Sequence, residues 1–513
     1  MTFLKNWFKT GKSIPLLVLL FLLIISSISA QTFPRFTTKN IPLLQGKYSK
    51  VGDLLLDSST HSQVNKIEVA LSSTFPLAGL RVMGHQAESD PIILAEKILP
   101  SATERLALKR NLTVAPDKIW IEIMPQKDHD LLDKIKVEIR SITLGKKNVK
   151  LSQDSTTAEF KIAHELRNYG MEGVHSFRIP GLVTTPKGTL LAVYDIRHKS
   201  SVDLQGDIDV GLSRSTDQGK TWSEMKTIID MGSYGGLPED QNGVGDPAIL
   251  VDPQTGHIWV IALWAHGKPG VMIWNSSKPG LNPEETGQLV LVKSEDDGLT
   301  WSDPVNITTQ VKDPKWNLFF NGPGKGIAMN DGTLIFPAQY RDEEGMPYST
   351  IISSQDKGKT WAVGSGAKSN TTEAQVVELS DRSLMLNMRD NRGGARSVSV
   401  TSDLGKNWTE HSSSRSALIE PVCMASIISH PTRDLLLFSN PAATDGRHNM
   451  TIKVSEDEGK TWSNTNQLLL DEGSGWGYSC LTIVDEGLVG IVYESSVANI
   501  TFQLVRLEDL IQK

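Results

Sequence analysis

Three arginines stand where their surroundings are apolar or strand-like. Arg178 lies in Phe177-Arg178-Ile179-Pro180, Arg389 in Leu386-Asn387-Met388-Arg389-Asp390, and Arg447 in Gly446-Arg447-His448, a loop ahead of a strand pattern. A guanidinium drawn into an apolar strand start needs an anionic partner. Taken singly, each reads as half of a structural ion pair. Taken together, three in well-separated segments allow a second reading, a shared anionic ligand, because the guanidinium fork matches a carboxylate in geometry. That reading requires a fold that gathers distant segments at one place.

The chain carries such a fold's signature. Ser215-Thr216-Asp217-Gln218-Gly219-Lys220-Thr221-Trp222 fits a frame S/T-x-D-x-G-x-T/N-W that returns at residues 294–301, 354–361, 401–408 and 455–462. Each fixed position has a local task. Asp and Gly specify a tight turn, the Ser or Thr hydroxyl bonds back across it, and Trp anchors it by burying a large ring. Runs such as Ile208-Asp209-Val210-Gly211-Leu212-Ser213 precede the turns, so each unit is strand, turn, Trp, strand. The Trp residues are spaced 47 to 79 residues apart, the length of a four-stranded blade with its loops, and this predicts a β-propeller. An Asp repeated five times is a turn residue, since catalysis needs one converging site. From about residue 160 to 513 the pattern suits six blades, one without the repeat. The strand-like run 500–505 is placed to close the ring against a strand from the propeller's start.

Residues 31–155 contain no copy of the repeat. Lys66-Ile67-Glu68-Val69-Ala70-Leu71, Ile119-Trp120-Ile121-Glu122-Ile123 and Ile135-Lys136-Val137-Glu138-Ile139 alternate with strand period, which predicts a small β-sandwich. Residues 93–108, interrupted by Pro100, read as a short helix or a loop. With few aromatics in this segment, carbohydrate binding and a purely structural or spacer role stay equally open. Residues 151–157, polar and rich in Ser and Thr, read as a linker. At the N-terminus Lys5, Lys9 and Lys12 precede an apolar run at 14–25 and then Ser27-Ile28-Ser29-Ala30. This is the pattern of a secretory signal peptide cut after Ala30, with an uncleaved anchor as the alternative. Export to the periplasm, the cell surface or the medium follows from it.

Composition narrows the classes. The 513 residues carry 52 Lys and Arg against 59 Asp and Glu, a net charge of −7, with no local basic cluster, so nucleic-acid binding is not the main role. The two cysteines, Cys423 and Cys480, lack metal-ligand spacing and read as buried free thiols. Nothing in the sequence specifies an oligomer, and a monomer is the simplest reading.

The five repeats, Phe177-Arg178-Ile179-Pro180, and the later Arg389 and Arg447 together resemble the bacterial exo-α-sialidases (neuraminidases) of glycoside hydrolase family 33. There the repeat is called the Asp box and the fold is a six-bladed propeller. The box alone also occurs in non-catalytic propellers; the first-arginine motif combined with the downstream motifs is far more specific. The resemblance implies that Arg178, Arg389 and Arg447 clamp the carboxylate of sialic acid. It implies that Tyr478, in Gly475-Trp476-Gly477-Tyr478-Ser479-Cys480, is the nucleophile, with Glu373, in Thr371-Thr372-Glu373-Ala374-Gln375, as its base. Glu494, in Val492-Tyr493-Glu494-Ser495, matches the residue that orients the first arginine. The acid/base carboxylate is assigned to Asp203; Asp207 and Asp209, nearer the following strand, read as structural. Arg197 and Asp246 match positions that contact the O4 side of the sugar. No metal or organic cofactor is implied, and the partners are sialylated glycoconjugates.

The chemistry unites these residue types. Sialic acid carries its carboxylate on the anomeric carbon, so a carboxylate nucleophile, usual in retaining glycosidases, would approach a like charge. A neutral phenol avoids that repulsion but, with an ordinary pKa of about 10, needs a base beside it. Two alternatives remain at this level: a trans-sialidase of the same fold, and a non-catalytic propeller lectin.

Overall fold

Runs such as Ile258–Trp264 are apolar on both sides and buried along their whole length, as strands covered on both faces must be. In the computed structural model, which describes residues 35–56, 65–85, 90–112, 116, 118–127, 130–149, 151 and 157–511, such runs build an all-β molecule. Five sheets stand as propeller-like blades. The first consists of Ser176–Thr184, Leu190–Arg197, Ile208–Ser215 and Lys226–Ile229, all antiparallel. The others begin with Val244–Val251, Leu318–Asn321, Thr371–Glu378 and Ser426–Ser429. A further antiparallel run, Ser479–Asp485, Leu488–Tyr493, Ile500–Arg506 and Thr157–Arg167, belongs to a 12-stranded sheet shared with the N-terminal strands.

First strands pack side by side: Ser176–Thr184 lies against both Val244–Val251 and Ser479–Asp485, and Ser426–Ser429 against Thr371–Glu378 and Ser479–Asp485. The pairing expected of run 500–505 is present, with Ile500 opposite Arg167 and Phe502 opposite His164. Both cysteines are buried free thiols, as expected.

The repeats are turns, and the geometry says why. In the first, Ser215 Oγ accepts from Gly219 N–H (2.8 Å) and donates to Asp217 Oδ1 (2.8 Å). Asp217 in turn accepts from Thr221 N–H (2.9 Å) and its hydroxyl (2.6 Å). Gln218 and Gly219 both have positive φ, 61° and 87°, and Lys220 N–H points back to Asp217 C=O. This is a type I′ turn, whose twist suits a hairpin. Residues 297–298, 357–358, 404–405 and 458–459 repeat the pair of positive φ angles. The Trp anchors are less uniform than their spacing predicts. Trp361 is buried, while Trp222, Trp301, Trp408 and Trp462 are half-buried.

Register separates two ends of each blade. Leu190 pairs with Ser215, where the first box begins, and Arg197 at the other end pairs with Ile208. The boxes therefore occupy one end of the blades, and the strand ends carrying Arg197 occupy the other.

In the N-terminal region, Lys66–His85 is a 20-residue strand. Residues 93–108 are neither helix nor loop: they lie in the strand Ile92–Asn111, paired along Lys66–His85. Its mixed polar and apolar sequence hides strand period because one side is largely exposed, and Pro100 falls between paired segments, where the register shifts and no ladder bond is required. The proposed leader at 1–30 and most of the proposed linker (152–156) lie outside the described residues; Thr157, its last residue, already starts a strand.

Candidate active site

Three of the first strands break their ladders in the same place. β-Bulges fall between Arg178 and Gly181, between Gly245 and Ala248, and between Thr371 and Ala374. A bulge re-aims side chains and ends pairing, and these three carry Arg178, Asp246 and Glu373. Ile179 has φ of 59° and Asp246 φ of 56°. A β-branched residue in the left-handed region is strained, and such strain persists only where its surroundings enforce it. Here Glu494 does so, accepting from Ile179 N–H at 3.0 Å.

Glu494 organises the first arginine. It is buried and accepts from Arg178 Nε (2.9 Å) and Nη2 (3.3 Å), and from the backbone N–H of Tyr478 (3.1 Å). One carboxylate thus ties Arg178 to Tyr478. The indole of Trp476 covers the Arg178 guanidinium at 4.6 Å, a cation–π contact. Gly477 between them has φ of 81°, and a Cβ there would lie 2.7 Å from the Pro441 side chain, so this turn requires glycine.

Tyr478 points its hydroxyl at two partners. It donates to Glu373 Oε1 and accepts from Arg389 Nη1 at 3.0 Å. Arg389 Nη1 also donates to Glu373 Oε2 at 2.6 Å. Burial, reinforced by the Glu373 charge and only partly offset by Arg389, lifts the phenol well above its ordinary value. The resting hydroxyl is therefore protonated, with Glu373 positioned to take its proton. Arg447 lies with its guanidinium 5.7 Å from the Tyr478 ring and donates to the carbonyls of Trp476 (2.9 Å) and Val422 (3.1 Å). Among the described residues, no carboxylate lies within ion-pair distance of Arg447. The three arginines thus meet around one phenol.

Asp203 stands on an exposed loop, its side chain 63% exposed, 2.8 Å from Arg197 Nη1 and 3.5 Å from Arg178 Nη1. Partial desolvation against the surrounding protein would raise its carboxyl despite that exposure, but Arg197 and Arg178 outweigh it and hold it below the ordinary range. Arg197 is buried and forked onto Asp195 at 2.8 and 3.1 Å. Asp195 is pushed up to about 6 by burial, with Arg197 opposing, and its second oxygen accepts from Asp246 N–H at 2.9 Å. Burial, then the nearby Asp195 and Asp203, raise Asp246 well above the ordinary range.

A cavity of ≈ 350 Å³ joins Asp203, Asp246, Glu373, Arg389 and Tyr478 to an apolar wall that includes Met272, Trp274 and Phe320. Two larger cavities, of ≈ 600 and ≈ 530 Å³, lie among residues such as Lys325, Ile327 and Pro431, away from this chemistry, and one of ≈ 440 Å³ borders Trp476 and Glu494.

Sequence reasoning missed Asp195, Trp476 and the apolar wall. Asp195 was within reach: it lies two residues before Arg197 on one strand, so the two side chains share a face. The wall carries no signal, since Trp274 sits in a single helical turn, Ile273–Ser276, with Met272 at its start, and four residues are too few to show a period.

Known proteins resemble this chain over most of its length. The BNR repeat-like domain matches residues 188–491. A sialidase of Bacteroides fragilis is 54% identical over 400 residues, 77% of this chain and 74% of that protein. A sialidase of Micromonospora viridifaciens is 34% identical over 340 residues, 63% of this chain and 50% of that protein. The structure of a Hadza microbial sialidase superposes with a TM-score of 0.85 at 40% identity, covering 93% of this chain and 100% of that one. At 19% identity and a TM-score of 0.58, an intramolecular trans-sialidase of Ruminococcus gnavus shares the fold. Fold, cavity and relatives define a glycoside hydrolase built on box-bearing propeller blades. Within that class the chain belongs to the sialidase family and is an exo-α-sialidase.

Proposed function

We propose that this enzyme hydrolyses terminal α-linked sialic acid from glycoproteins, glycolipids and oligosaccharides, with retention, through a sugar–Tyr478 intermediate. The observation that carries the reading is the buried Tyr478 hydroxyl, bonded at once to Glu373 and Arg389. Arg178, Arg389 and Arg447 receive the substrate carboxylate. Each charge-assisted contact of this kind contributes roughly 1.5–3 kcal/mol. Tyr478 Oη attacks the anomeric carbon while its proton passes to Glu373. The bond to the leaving oxygen breaks as Asp203 gives that oxygen a proton. Asp203 then takes a proton from the water that attacks the anomeric carbon, and the departing phenolate recovers its proton from Glu373. Asp203 must be protonated to begin. The substrate carboxylate shares Arg178, one of the two cations that hold Asp203 down, and so favours that protonation.

Three further readings belong to this proposal. The run Ser479–Asp485, Leu488–Tyr493, Ile500–Arg506 and Thr157–Arg167 is the sixth blade; four antiparallel strands beside Ser176–Thr184 support it. Residues 31–155 form a sandwich-like domain. The support is Lys66–His85, which pairs with Lys134–Leu144 over its first part and with Lys118–Pro125 over its second. The N-terminal 30 residues direct export.

The test is product analysis by NMR with 3′-sialyllactose, with and without added lactose acceptor. Free sialic acid appearing first as the α-anomer is the expected result. Release of the β-anomer first overturns the Tyr478 intermediate. A 2,7-anhydro product or transfer to lactose replaces hydrolysis with a transfer reaction, and binding without turnover leaves a lectin.

A further inference from the structure

A second, wholly buried ion pair contacts the backbone that carries Arg389 and the backbone beside the carbonyl that accepts from the Arg447 side chain. Arg396 and Glu420 have fully buried side chains and meet at 2.7 Å. Glu420 reaches this place on the short strand Ile419–Glu420, which pairs with Gly394–Ala395. Neither residue lines the cavity that holds Tyr478.

Their remaining side-chain hydrogen bonds go to the segment that carries Arg389 and to Cys423, next to a carbonyl that holds the Arg447 side chain. Arg396 donates from Nε to Asn387 Oδ1 (2.7 Å) and from Nη2 to Asn387 C=O (3.2 Å). Glu420 Oε1 accepts from Asp390 N–H at 2.7 Å. The chain is thus gripped two residues before Arg389 and one residue after it. Arg396 Nη1 also donates to Cys423 C=O at 2.6 Å. The adjoining carbonyl, that of Val422, accepts from Arg447 Nη2 at 3.1 Å. Val422 has φ of 54°, a costly angle for a β-branched residue that must be imposed from outside.

A buried ion pair is a poor source of stability, because the desolvation of both charges offsets their attraction. Its use is specificity of geometry. We propose that Arg396–Glu420 is a positioning pair that sets Arg389 and Arg447 at the spacing required by one carboxylate. The proposal rests on the sialidase reading of the site. The planar Arg396 fork spans Glu420, Asn387 and Cys423 together, which a lysine ammonium on a flexible stem does not do in that geometry.

The experiment compares wild type with Glu420→Gln and Arg396→Lys. Each protein is checked for a cooperative thermal transition. Equilibrium binding of free sialic acid and of its methyl ester is measured, along with kcat and KM for a fluorogenic α-sialoside. The expected result is a loss of about tenfold or more in affinity for the acid, with the ester little changed, so that the acid-to-ester preference collapses. In turnover the same defect raises KM with a smaller change in kcat. Arg396→Lys, which keeps the charge, is expected to fall between wild type and Glu420→Gln. A merely structural role would lower the thermal transition and weaken both ligands alike. Folded variants with an unchanged acid-to-ester ratio overturn the proposal. Should Glu420→Gln fail to fold, Arg396→Lys decides by the same ratio. A wild-type enzyme with no preference for the acid would overturn the carboxylate-clamp reading of the three arginines, and this proposal with it.

Discussion

The box turns and the arginine end use the same atoms in opposite ways. The turn-forming groups of each box are satisfied within eight residues: the Ser215 hydroxyl, the Asp217 carboxylate, Gly219 N–H and Thr221 bond to one another, and the boxes at 294, 354, 401 and 455 repeat the Ser/Thr-to-Asp bond. At the arginine end, decisive partners come from distant parts of the chain. Glu494 grips Arg178 across 316 positions, and Tyr478 meets Glu373 across 105. A box is therefore a local device repeated for construction, while the site exists only when separate sheets come together. Charge follows the same division. Threonine and backbone hydrogen bonds pull Asp296 and Asp356 down to about 2. Burial lifts Asp195, Asp246 and Tyr478. Groups with displaced proton affinities gather where chemistry occurs.

This contrast is open to direct attack, beginning with the site. Tyr478→Phe removes one oxygen and leaves the ring packed against Ile179, Cys423 and Met424. Sialoside hydrolysis is expected to fall by roughly 10³-fold or more, with the thermal midpoint nearly unchanged. Full activity in a folded mutant would remove Tyr478 from the nucleophile's role.

Next comes Arg447→Ala. It breaks no carboxylate pair, so the fold should tolerate it, yet affinity for sialic acid should fall about tenfold, the equivalent of ~1.4 kcal/mol. Calorimetric binding that matches wild type would show that two arginines suffice for the carboxylate.

A third test concerns pH. Arg197→Met/Asp195→Asn removes the nearer cation holding Asp203 down without leaving a buried carboxylate unpaired; the Asn oxygen can still accept from Asp246 N–H. Asp203 then rises toward the ordinary range. Because a general acid acts only when protonated, the descending limb of kcat/KM should move to higher pH. A limb that stays in place, or moves down, would assign it to another group.

The smallest effect belongs to the boxes. Asp356→Asn should lower the midpoint by roughly 2 °C or less at neutral pH and leave kcat and KM alone. Asp356 is lower in the folded state than its ordinary value of 3.8. Its contribution is therefore present above about pH 4 and lost as pH falls toward 2. The difference between mutant and wild type should shrink over that window. A large loss of activity at pH 7 would mean that the boxes couple to the site.

By itself the sequence determined what short-range rules control. Five box turns and strands of period two were legible because turn chemistry and alternation act over a few residues, whereas the residue types of the site were implied by the family resemblance. Arg178, Glu373, Arg389, Arg447, Tyr478 and Glu494 were picked out from motifs, yet nothing in the chain could say that Glu494 would hold both Arg178 and the Tyr478 backbone. Residues 93–108 were misjudged because partial exposure blurred their period and Pro100 looked like a breaker; a register shift beside it made the strand possible. Only the tertiary structure decided that Asp203 sits low between two guanidinium groups, that Asp246 sits high, and that Trp476 and an apolar wall flank the cavity. Those properties come from desolvation and from charges a few ångströms apart, and such distances are set by how the sheets pack, not by separation along the chain.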